Sequence, residues 1–91
     1  MKNTSNNSFV GTDWLILEIV IEAIGDMIAY NSMQLDLAIK SNDSTIIESI
    51  ENELKRLIQE RQKCYDINSN NEIIVKVFEE YIPKLRRINA C

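Results

Sequence analysis

Glu18, Glu22 and Asp26 follow one another at four-residue spacing, which on a helix aligns three carboxylates along one face. Such a ladder suits a solvated acidic surface, a strip that docks basic side chains, or a cation. The cation reading needs further ligands, because carboxylate metal sites in helical proteins draw Glu-x-x-His from paired helices, and the chain contains no histidine. The same absence removes the usual general base and every serine or cysteine triad built on imidazole. Glu48 and Glu51 form one Glu-x-x-Glu, but Lys63 stands three before Asp66, so no Glu-x-x-Asp follows to complete a magnesium-gathering set. No catalytic residue is assigned, and no metal or other cofactor is expected.

The cations are equally informative. Lys84, Arg86 and Arg87 close the chain beside Tyr81 and form a small basic footprint that suits either a helix C-terminus or contact with phosphate. Arg61 falls between Leu57 and Cys64 on the apolar stripe of its helix. A cation there either snorkels to the end of the fold or pairs with an acid of the first helix or of a second subunit, fixing register. Cys64 reads as a small core residue and Cys91 as a terminal thiol. Trp14, at the start of the first apolar stretch, reads as a packing anchor or as an aromatic presented to a partner pocket.

These side chains must be positioned by a chain of 91 residues that is 45% hydrophobic, with two glycines and one proline. That composition and size specify one all-α domain with a thin core, for which self-association is a natural completion. The net charge of -4 conceals a division, since residues 1–54 sum to -7 and residues 55–91 to +3. A dipolar chain of this kind docks its own halves or a second copy. Two cysteines and no secretory leader point to the cytoplasm with free thiols. Glu18, Glu22 and Asp26 interrupt the apolar run from Trp14 to Tyr30, so no membrane span is expected.

Residues 1–11 are polar and rich in Asn and Ser, and read as a disordered N-terminal arm ahead of a single helical domain over 12–91. Thr12 is a candidate N-cap, with Phe9 or Val10 stapling onto the first turn. The first helix is expected over about 12–40, apolar around more than half its circumference, and either straight in an elongated molecule or bent at Tyr30-Asn31-Ser32. Thr45 with Glu48 and Ser69 with Glu72 have capping-box spacing, which predicts helices over about 44–66 and 70–89. Pro83 predicts a kink or an end near Tyr81-Ile82. Short turns imply antiparallel neighbours, hence an antiparallel three-helix bundle of one long helix, a hairpin return and a third helix, completed by homodimerisation through the first helix.

The expected function is that of a small non-enzymatic interaction module, an inhibitor, antitoxin or phage- or plasmid-type regulator that binds another protein. Glu18, Glu22, Asp26 and Trp14 are its candidate partner-binding residues. The alternative is a dimeric regulator that touches nucleic acid through Lys84, Arg86 and Arg87.

Overall fold

The computed structural model describes the backbone of residues 3–66 and 68–90, and the side chains of that set from Trp14 onward. Three helices make up the fold, with no strand among the described residues. They are α1 (Asn3–Ser41), α2 (Ser44–Lys63), and a third helix built of α3 (Asn71–Lys76), one π turn (Val77–Tyr81) and α4 (Ile82–Ala90). The helix begins at Asn3, ahead of the Thr12 start that the sequence suggested, so the backbone of the polar arm continues α1. The Phe9 or Val10 staple and the Thr12 cap lie outside the described side chains, as does Cys91.

α1 passes through Tyr30-Asn31-Ser32 without a break. Asn31 is buried, and its Nδ2 donates to the Met27 carbonyl at 2.8 Å, so the amide is satisfied by its own helix and needs no bend to reach a partner. At 1.5 Å per residue the helix is about 58 Å long, close to the 60 Å long axis of the molecule. The radius of gyration of 16.3 Å accordingly exceeds the ~12 Å of a compact chain of this length.

The turn after α1 is set by Asn42, whose φ of 63° is tolerated because a short polar side chain visits the left-handed region at low cost. This conformation lets the Asn42 and Asp43 amides donate back to the Ile39 and Ala38 carbonyls. Asp43, extended at φ -97°, then accepts from the Ile46 amide at 3.2 Å. Asp43 is therefore the N-cap of α2, and the expected Thr45 box is replaced by a carboxylate that the turn has already aimed. The second expected box is also absent. The Ser69 hydroxyl donates to Asp66 Oδ2 at 2.8 Å, and the N-cap Asn70 makes no side-chain cap bond.

Pro83 neither ends nor interrupts the third helix. The chain widens by one π turn, in which the Ile82 amide bonds the Val77 carbonyl, and runs on to Ala90. A proline cannot bond one turn back and its ring crowds the carbonyl there; a wider turn relieves that clash while the helix continues. It also keeps Ile73, Val77 and Tyr81, spaced four apart, on the buried face.

The core joins Val20, Ala23, Ile24 and Met27 of α1 to Leu57 and Cys64, at the end of α2, and to these three residues of the third helix. α2 returns along α1, and the π turn and α4 pack on α1 beside it. Phe78, next to the buried Val77, is turned outward and 43% exposed. No helix among the described residues is long and apolar enough to cross a membrane.

Candidate functional site

Among the described residues, the one charged side chain in the core is Glu60, which is 7% exposed. It follows Leu57 by three residues and precedes Cys64 by four, so the inner face of α2 carries it inward. Arg61, assigned to that stripe from the sequence, is rotated outward and exposed, and no ion pair of Arg61 occurs among the described residues. The stripe that the core uses is Leu57, Glu60 and Cys64.

Glu60 lies under the third helix. Tyr81 donates its hydroxyl to Glu60 Oε1 at 2.5 Å, Lys76 Nζ donates to Oε2 at 2.7 Å, and Arg56 Nη1 donates to Oε2 at 3.3 Å. Arg56 also donates to the Tyr81 hydroxyl at 3.1 Å and pairs with Glu53. Lys76 Nζ sits 5.5 Å from the centre of the Tyr81 ring, within cation–π range. Two carboxylates and two cations thus form a neutral network whose members belong to α2, α3 and the π turn.

Burial and the hydrogen bond to Glu60 push the Tyr81 hydroxyl up from its ordinary value. Burial lowers Lys76 and Arg56, but hydrogen bonds to Glu60 and Tyr81 for Lys76, and to Glu53 for Arg56, outweigh it, and both finish raised. The Cys64 thiol is pushed up by burial and by the nearby Glu60 charge, and it donates to the Glu60 carbonyl at 3.4 Å. A raised thiol in the core is a packing group and lacks the stabilised thiolate of a reactive one.

A groove of about 560 Å³ opens beside the network, lined by Arg56, Gln59, Glu60, Lys63, Lys76 and several side chains of the third helix. Its three cations, Arg56, Lys63 and Lys76, face four carboxylates, Glu60, Glu72, Glu79 and Glu80, so its charges nearly cancel, with one acid in excess. No buried side-chain nitrogen or oxygen among the described residues lacks a partner. The network is closed on itself. Its chemistry is that of a clamp between α2 and the third helix.

The sequence-derived candidates lie elsewhere. Glu18, Glu22 and Asp26 are exposed on α1, and Glu22 and Asp26 share a shallow groove with Ile82, Leu85 and Arg86 of α4. Two members of the acidic ladder and one of the basic terminus therefore line one groove, with no ion pair between them among the described residues, and Lys84, Arg86 and Arg87 are all exposed on α4. Trp14 is 55% exposed. No three His, Cys, Asp or Glu side chains gather as a metal set among the described residues.

Sequence reasoning missed Glu60, Arg56 and Lys76, although the Arg56–Glu60 spacing of four and the position of Glu60 between Leu57 and Cys64 were signals of a paired acid turned inward. Comparison with protein-family models, with curated proteins and with solved structures gives no match.

Proposed function

We propose that the protein is a small non-enzymatic interaction module, a three-helix antiparallel bundle that acts in the cytoplasm as a homodimer and presents a helical surface to another protein. One observation carries this reading. The helix period sets Ile21, Ile28, Leu35 and Ile39 on one flank of α1 and Ile47, Leu54, Ile58 and Tyr65 on one flank of α2 and the turn that follows it, with Ile21 and Ile28 also packed against the core. Each is partly or largely exposed, with Ile39 at 54%, Ile58 at 40% and Tyr65 at 66%. Scattered apolar residues are ordinary on a surface, but a continuous two-helix strip is a mark of an interface.

The interface face of α1 is this strip and not the stripe of Leu15, Ile19, Met33 and Leu37. Glu22 and Asp26 interrupt that stripe, so two copies meeting there would bring four carboxylates together. The acidic ladder is left for a basic partner. Its carboxylates beside Arg86 compete with any phosphate, which favours a protein partner over nucleic acid at the C-terminus.

The test is solution mass by light scattering behind size exclusion, with reductant, across a dilution series. Twice 10.5 kDa is expected at micromolar concentration, with Ile58→Glu shifting the chain to 10.5 kDa. A single-chain mass at every concentration would overturn the homodimer.

A further inference from the structure

The strip has an internal symmetry that specifies how a second copy would sit on it. α1 and α2 leave the Asn42–Asp43 turn in opposite directions with the same rise, so residues whose numbers sum to about 86 lie at one level. The levels along the strip are then Ile21 with Tyr65, Gly25 with Arg61, Ile28 with Ile58, Ser32 with Leu54, Leu35 with Glu51, and Ile39 with Ile47. Two charges stand in the strip, Arg61 and Glu51. They are of opposite sign, both exposed, and equidistant from its midpoint near Arg56 on α2 and Tyr30 on α1.

A two-fold axis through that midpoint, perpendicular to the helices, lays α1 antiparallel on α1 and α2 antiparallel on α2. It brings Arg61 of each copy to Glu51 of the other. The same operation sets Leu35 over Gly25 and Ile28 over Ser32, a large side chain opposite a small one each time. Gly25 is otherwise unexplained. It sits in mid-helix, where glycine is unfavourable, and a Cβ built on it would meet nothing within 4 Å, so its own chain does not require it. A two-fold axis parallel to the helices instead sets Arg61 against Gly25 and Glu51 against Leu35, leaving both charges unpaired in an apolar contact.

Size is also in range. From Ile21 to Ile39 the strip is about 27 Å long. At a width of two helices it offers roughly 500 Å² per copy, or about 1,000 Å² in total, which is the lower end for a specific interface.

From this complementarity we infer that the α1–α2 strip docks a second copy of this chain antiparallel about a two-fold axis, with Arg61 of each subunit paired to Glu51 of the other and Leu35 seated on Gly25. The inference rests on the homodimer reading above and adds the symmetry, the register and the paired residues. Two such pairs per dimer make the charges set partner and register at once.

The experiment measures dimer dissociation of the full chain by sedimentation equilibrium for wild type, Arg61→Glu, Glu51→Arg and the doubly exchanged chain. Each single reversal places like charges at both contacts and should weaken dimerisation by about 30-fold or more, and the double exchange should return it to within about threefold of wild type. Gly25→Trp should abolish the dimer while leaving far-UV circular dichroism unchanged, because a Cβ at this position meets nothing within 4 Å on the single chain. A wild-type dimer indifferent to Arg61→Glu, or single reversals that the double exchange fails to rescue, would overturn this arrangement while the homodimer stands. A wild-type chain that remains monomeric would overturn both.

Discussion

Replacement of Glu60 by alanine removes the acceptor on which three donors from α2 and the third helix converge. The loss is bounded by what each donor does afterwards. The Lys76 and Arg56 side chains are 27% and 41% exposed, so both regain water and their contributions are discounted to below about 1 kcal/mol each. Arg56 also keeps Glu53. Tyr81 is 3% exposed and retains Arg56 as a donor, but its own proton loses its acceptor, a charged-group hydrogen bond of about 1.5–3 kcal/mol.

Glu60→Ala is therefore expected to cost about 2–4 kcal/mol. Glu60→Gln should cost about half of that, since the amide oxygen still accepts from Tyr81. Glu60→Met should cost less than alanine, because it fills the volume and leaves no buried charge. Urea unfolding at neutral pH, followed by circular dichroism, measures all three. In a chain of this size each kcal/mol corresponds to about 4–8 °C in Tm. Glu60→Ala within about 0.5 kcal/mol of wild type would refute the clamp. Additivity of Glu60→Gln with Tyr81→Phe in a double-mutant cycle would refute the coupling between them.

The same network fixes the pH response. Tyr81, Lys76 and Cys64, whose ordinary values are 10.0, 10.5 and 9.0, are all raised in the fold. The folded state holds these protons more tightly, so their contribution is complete below the ordinary values and is lost as pH rises through the folded ones. Urea midpoints should show no effect of these groups between about pH 6 and 8 and should fall above about pH 9–10, and Tyr81→Phe should lessen that fall. Asp43→Ala removes the α2 N-cap that accepts from Ile46 and should lower stability by about 0.5–2 kcal/mol, whereas Thr45→Ala should change it by less than about 0.5 kcal/mol. Equal losses in the two variants, read by chemical denaturation, would show that Asp43 is not the cap.

How the helices begin, turn and widen shows where local reasoning held and where it failed. The apolar periodicity of Val20, Ile24 and Met27 and of Leu57 and Cys64 makes the helical character and the inner faces legible, because burial repeats with the helix period. The polar runs Ser41 to Ser44 and Asn68 to Asn71 mark both turns for the same reason. The identity of the caps was not legible. Asp43 and Thr45 are both competent, and the left-handed backbone at Asn42 decides between them by aiming the aspartate first. Ser69 does not cap, because its hydroxyl is turned back to donate to Asp66 and the N-cap position falls to Asn70.

Arg61 and Glu60 are adjacent and differ by 100° around α2, and the pattern of apolar residues fits either of them inside. The choice is made by the third helix, which brings a lysine and a tyrosine hydroxyl to the position of Glu60 and nothing to that of Arg61. Likewise Pro83 announces that a regular turn is impossible, but only packing of Val77 and Tyr81 on the core selects a π turn over a helix end. Length, composition and periodicity by themselves determine that this chain is helical, that its charge divides into an acidic first part and a basic second part, and that it has no histidine. Which charge is buried, which end each cap comes from and which apolar strip stays open are tertiary decisions, because each depends on a neighbour distant in sequence that alone can satisfy a buried polar group or cover an apolar face.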